Sequence, residues 1–134
     1  MALSREDVIV GVDTHKNQHV AVVIDGLGGR LGELMFAANP AGYSSMVAWS
    51  GKFGAVARFG VEGTGSYGSG LARFLRRNGH TVLEVSRPPR KGERRLSGKS
   101  DSIDAEHAAR EVLAGKARST PKLADGAIEA IRLI

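Results

Sequence analysis

The chain has no cysteine among its 134 residues, so disulfides and thiolate metal sites are excluded. No apolar stretch approaches the roughly 20 residues that cross a bilayer as a helix. Met1 to Asp7 is polar and lacks the pattern of a secretory leader. These absences predict a cytoplasmic protein with no membrane partner. His15 and His107 read as surface or supporting residues rather than metal ligands. Gly98-Lys99-Ser100 ends like a P-loop, but that motif requires glycine where this chain has Glu93. Gly63-Thr64-Gly65-Ser66-Tyr67-Gly68 has the letters of a dinucleotide-binding turn, yet Glu84 is the only acid near the required distance downstream. A tight turn after Glu62 is the simpler reading.

What is present is a concentrated charge. Residues 87–99 hold Arg87, Arg90, Lys91, Arg94, Arg95 and Lys99 against the single acid Glu93, and so account for the whole formal net charge of +5. The remainder is neutral. A neutral globule with one basic loop suits contact with a phosphate backbone, where each neutralised phosphate releases about one counterion. A solvated linker is the bland alternative. At this length the chain is about one domain, large enough to bury a core without staples.

Alternation and turn chemistry predict strands at Val8 to Asp13, His19 to Ile24 and about Arg30 to Ala37, the first pair of turns including Asp25-Gly26-Leu27-Gly28-Gly29. Asn39-Pro40 supplies a cap and a first helical residue for a helix to about Lys52. A strand ending at Glu62, a helix from Gly68 to Asn78 and a strand from Thr81 to Val85 follow, before Pro88-Pro89 breaks the pattern. A helix is expected from about Ser102 to Ala114. The last segment carries Leu123, Ala127, Ile131 and Ile134 on one stripe without a stop signal, so the chain is expected to continue into a longer protein.

Four acids stand out against this frame. Asp13 and Glu62 each end an apolar run, which places both at the carboxyl ends of strands, where ligands collect in open α/β sheets. Asp101 and Asp104, three residues apart at a helix start, share a face. They would equally suit an N-cap and the third helical position. Four carboxylates repel one another in a small volume, and a divalent cation removes that penalty. Mg²⁺ fits because it is hard, takes oxygen ligands and keeps open positions for a phosphate, and Mn²⁺ would substitute. A pair of such ions about 3.5 to 4 Å apart would serve both the attacking and the leaving oxygen. Gly11 and Gly60, two positions before Asp13 and Glu62, are expected to leave room for metal and phosphodiester. Lys16 is read as a phosphate contact.

A three-stranded antiparallel meander followed by βαβ units resembles the ribonuclease H fold. Gly11-Val12-Asp13-Thr14-His15-Lys16, Val61-Glu62-Gly63-Thr64-Gly65-Ser66-Tyr67-Gly68 and Lys99-Ser100-Asp101-Ser102-Ile103-Asp104-Ala105 resemble, in order, the three signatures of the DEDD transposases of the insertion-sequence one-ten family. The resemblance implies an α/β, RuvC-like mixed sheet over residues 1–115, with the basic loop 87–99, and a helical linker beginning within 116–134. It implies a catalytic and metal-binding tetrad of Asp13, Glu62, Asp101 and Asp104, with Mg²⁺ as cofactor. It further implies DNA and a guide (bridge) RNA as partners, a dimeric or tetrameric full-length enzyme, and a catalytic serine in a separate domain beyond Ile134. Residues 1–134 alone would then be inactive. A Holliday-junction-type nuclease is the nearest alternative. An actin-like or sugar-kinase phosphotransferase would want glycine where His15 stands, and a noncatalytic RNA-binding module leaves the four acids unexplained.

Overall fold

The computed structural model describes residues 7–86 and 99–119, and the side chains of residues 101–117 within the second stretch. The elements run β1 (Asp7–Thr14), β2 (Gln18–Asp25), β3 (Arg30–Ala37), α1 (Pro40–Ser50), β4 (Ala55–Glu62), α2 (Ser69–Arg77), β5 (Val82–Val85), α3 (Lys99–Leu113) and β6 (Arg118–Ser119). They build one six-stranded mixed sheet in the order β3-β2-β1-β4-β5-β6. β1, β2 and β3 form the expected antiparallel meander, β4 lies parallel beside β1, and β5 lies parallel beside β4.

The alternation of strand side chains divides the core in two. Val8, Val10 and Val12 of β1 face one way, with Phe59, Val61, Tyr43, Met46, Leu71 and Leu75, beneath α1 and α2. Ile9 faces the other way with Val20, Val22, Ile24 and the α3 residues Ala105, Ala108, Ala109 and Val112. α1 begins where the sequence places it: Asn39 Oδ1 accepts the Gly42 amide at 2.9 Å, and Pro40 costs nothing at a position whose amide has no helical partner.

Three expectations are corrected. α3 starts at Lys99, so Asp101 lies inside its first turn instead of capping it. Gly11 and Gly60 do not leave space for a ligand. A Cβ on Gly11 would stand 2.2 Å from the Ala105 carbonyl oxygen and 2.3 Å from the Ala109 amide nitrogen, and one on Gly60 would stand 2.5 Å from Val112 Cγ2. The missing side chains let α3 press against the sheet. Finally, Arg118–Ser119 pairs antiparallel with β5 where the start of a helical linker is expected. The stripe Leu123, Ala127, Ile131 and Ile134 lies outside the described residues. Among those described, no helix is long and apolar enough to cross a membrane.

A polar clasp also fastens α3. The Arg30 guanidinium at the start of β3 donates to Glu106 Oε1 at 2.9 Å and reaches Glu33 and Ser102, whose hydroxyl donates to Glu33 Oε1 at 3.2 Å. Arg110 donates to the other Glu106 oxygen at 2.8 Å. Hydrogen bonds from Arg110, and then from Arg30, hold the Glu106 carboxyl below its usual range despite the opposing effect of burial. Ser102 lies between Asp101 and Asp104, so the clasp fixes the turn that carries both acids.

Candidate active site

Asp13 is the penultimate residue of β1 and Glu62 the last of β4. The parallel register pairs Gly11 with Gly60 and Val12 with Val61, so the next step along both strands sets Asp13 beside Glu62 on the face that α3 covers. Neighbouring strands lie about 4.8 Å apart, which makes the two carboxylates immediate neighbours. Both are fully buried. The strand ends are tied together, since the Thr14 hydroxyl donates to the Glu62 carbonyl at 3.0 Å. Gly63, at φ +67, then turns the chain away, and its carbonyl accepts the amides of Ser66 at 2.9 Å and Gly68 at 2.8 Å.

α3 contributes the other two acids. Asp104 is buried on its inner face, and Asp101, one turn earlier, is half-buried. Because Ala105 and Ala109 rest on Gly11, the first turn of α3 reaches the end of β1, and Asp101 approaches Asp13. Asp13, His15 and Asp101 each place one potential ligand atom within 4.8 Å of the others. His15 Nε2 is 2.7 Å from Asp13 Oδ2 and 3.3 Å from Asp101 Oδ1. Glu62 and Asp104 adjoin this group through the sheet and the helix without belonging to it. The donor set, two carboxylates and one imidazole, suits a divalent cation.

His15 is the residue that the sequence reading placed outside the ligand set. It stands two positions after Asp13 and one residue past the end of β1, and what joins it to the acids is the arrival of Asp101 on α3. His19 holds it in place, with Nδ1 accepting the His15 amide at 3.2 Å. That bond leaves the proton on Nε2, which has no hydrogen-bond partner among the described residues. The His19 ring is fully buried, stacked on Tyr43 and edge-on to Phe36.

Burial holds His19 below its usual value of 6.5, against a raising hydrogen bond from the Gln18 backbone. As pH falls below 6.5 the unfolded chain takes up a proton here that the folded chain refuses, so folding stability is lost as pH drops from that point toward the lower folded pKa. Melting temperatures measured at pH 7.5 and 5.5 should therefore fall further in the wild type than in His19→Gln. Equal slopes would remove His19 as a source of acid sensitivity.

A cleft of about 660 Å³ opens beside the cluster, lined by His15, Lys16, Asn17, Gln18, Val20, Met35, Ala37 and Asp101. Lys16 is exposed there. Of the other basic residues expected to meet nucleic acid, Arg87, Arg90, Lys91, Arg94 and Arg95 are outside the described residues, and Lys99 opens α3.

Comparison with known proteins gives the chain a family and a fold. The family profile DEDD_Tnp_IS110, described as transposase, matches residues 10–134. No curated protein matches. Among solved structures, RuvC of Thermus thermophilus superposes at a TM-score of 0.54 with 12% identity, over 84% of this chain and 99% of that one. The same organism's RuvC in complex with a Holliday junction substrate superposes at 0.52, with 12% identity and the same coverage of 84% and 99%. At that identity the likeness shows the fold, a RuvC-like version of the ribonuclease H architecture.

Proposed function

This chain belongs to the DEDD transposase family whose profile it matches, and from that membership we propose that it is the catalytic domain of an RNA-guided DNA recombinase. The observation that carries the reading is that Asp13 stands beside Glu62 at the end of two parallel strands and close to Asp101 of α3 in a RuvC-like sheet. In it Asp13, Glu62, Asp101 and Asp104 form the catalytic and metal-holding tetrad. Mg²⁺, with Mn²⁺ as substitute, would supply Lewis-acid stabilisation of phosphate charge and a more acidic nucleophile. The chain's own part is positional. Asp13 and Glu62 are fixed by paired strands, Asp101 and Asp104 by a helix docked on glycine, and burial of Asp13, Glu62 and Asp104 keeps bulk water from competing for their oxygens.

Lys16 neutralises a phosphate at the mouth of the cleft. Arg87, Arg90, Lys91, Arg94, Arg95 and Lys99 hold the backbone of DNA or guide RNA. Residues 1–115 make up the catalytic domain and 116–134 lead toward a serine-bearing domain that completes the active site in a dimer or tetramer. The isolated residues 1–134 should accordingly fail to recombine DNA. A Holliday-junction-type nuclease shares the acids and the fold. Dependence of the cut on a guide RNA separates the two.

The test measures cleavage and nucleic-acid affinity side by side in the complete, serine-bearing protein. Chelating the divalent ion should abolish cleavage and leave affinity in place. Replacing Arg90, Lys91, Arg94 and Arg95 by alanine should instead flatten the dependence of log affinity on log salt by up to about 4 units. Cleavage that survives chelation would overturn the metal-dependent reading, and an unchanged salt slope would make the basic segment a linker.

A further inference from the structure

We propose that His15 Nε2 is a direct ligand of the cation held by Asp13 and Asp101, and that this nitrogen makes the centre favour Mn²⁺ over Mg²⁺. The inference rests on the acidic centre proposed above and adds to it a residue outside the four acids.

A single atom faces both carboxylates. Nε2 lies 2.7 Å from Asp13 Oδ2 and 3.3 Å from Asp101 Oδ1. Two adjacent donors on an octahedral ion, each about 2.1 Å from it, stand about 3.0 Å apart. The two observed separations fall on either side of that value, and all three donor atoms lie within 4.8 Å of one another. The three side chains are therefore spaced as ligands of one ion with little rearrangement.

The ring also has a firm footing. The His15 amide is donated to His19 Nδ1, and His19 is fully buried between Tyr43 and Phe36. Thr14 and His19 flank the turn as a paired position of β1 and β2. A surface histidine that met two acids by chance would have no such support beneath its backbone. The imidazole side chain itself remains 42% exposed, facing the cleft, so an ion can enter and keep open positions for water or phosphate.

The chemical consequence is selectivity. Mg²⁺ prefers an all-oxygen shell and gains little from imidazole, whereas affinity for a mixed nitrogen and oxygen site rises from Mn²⁺ onward through the first-row divalent ions. A shell of Asp13, Asp101 and His15 should thus bind Mn²⁺ at least about tenfold more tightly than Mg²⁺. His15→Ala should erase most of that margin by weakening Mn²⁺ while changing Mg²⁺ affinity little.

The experiment uses the 134-residue chain and Mn²⁺ itself as the probe. Calorimetric titration gives the affinities of wild type, His15→Ala and Asp13→Asn for Mn²⁺ and Mg²⁺, and pulsed electron paramagnetic resonance on bound Mn²⁺ reads imidazole nitrogen coupling directly, with no dependence on catalysis. The expected result is a nitrogen coupling in the wild type that disappears in His15→Ala, together with the selective loss of Mn²⁺ affinity. Mn²⁺ that binds in an Asp13-dependent way without nitrogen coupling overturns the role of His15 and leaves the carboxylate centre standing. Coupling that survives in His15→Ala assigns the donor to another nitrogen and also overturns it. If no Asp13-dependent binding of either ion is found, the carboxylate centre falls and the proposal with it.

Discussion

Asp13→Asn should lower strand cleavage by about 10³-fold in the complete enzyme while leaving the fold intact. Asp13 is the hub of the site, beside Glu62 in the sheet and 2.7 Å from His15, which in turn meets Asp101. Asparagine matches its volume and much of its hydrogen bonding but removes the formal charge that offsets a cation. Metal stabilisation of a phosphoryl transition state amounts to several kcal/mol, and each 1.4 kcal/mol is a factor of ten in rate, so a loss near 10³ follows if that stabilisation fails. Removing one of several clustered negative charges relieves repulsion, so the melting temperature should fall by no more than a few degrees. Cleavage assays, divalent-ion titration and a melt on the same preparation decide the matter. Wild-type cleavage with weakened ion binding would mean that the ion at Asp13 takes no part in the chemistry.

Gly11→Ala should do the reverse, damaging the fold first and the site as a result. The added methyl would lie 2.2 Å from Ala105 O and 2.3 Å from Ala109 N, both backbone atoms of α3. A flexible side chain could swing aside; a helix backbone must move as a body. Overpacking of this kind costs about 3 kcal/mol or more, against less than about 1 kcal/mol gained from a stiffer unfolded chain. A fall in melting temperature of about 10 °C is the expected reading. Displacing α3 also carries Asp101 and Asp104 away from Asp13, so divalent-ion affinity should drop even at temperatures where the variant stays folded. Gly65→Ala is the control, because nothing lies within 4 Å of the new methyl group. If Gly11→Ala matched that control, the close seating of α3 on β1 would be refuted.

The strands and the meander were legible because they depend on near neighbours. Val8, Val10 and Val12 announce a strand, and Asn39-Pro40 announces a helix start, through physics contained within a few residues. What was not legible depends on distant partners. A glycine in a strand reads the same whether its empty side serves a ligand or a helix, and only the arrival of Ala105 and Ala109 distinguishes the two at Gly11. His15 meets Asp13 and also Asp101 from α3, a grouping that no local spacing encodes. The two residues of β6, Arg118 and Ser119, are too short and too polar to announce a strand, and they pair only because β5 offers an open edge.

The two-sided packing of β1 has a consequence for fidelity. Its even-numbered valines enter the layer under α1 and α2, while Ile9, Gly11 and Asp13 face α3. Side chains alternate with a period of two, so a slip of β1 by a single residue against β2 and β4 would reverse both sets at once. Valine would then meet the backbone of α3 where only glycine fits, and a carboxylate would be thrust among Phe59, Val61 and Met46. A strand slipped by one residue could not keep a sound core and lose only its chemistry. The registration that closes the hydrophobic layers is the same one that aligns Asp13 with Glu62, so a one-residue slip costs the core and the acid pair together.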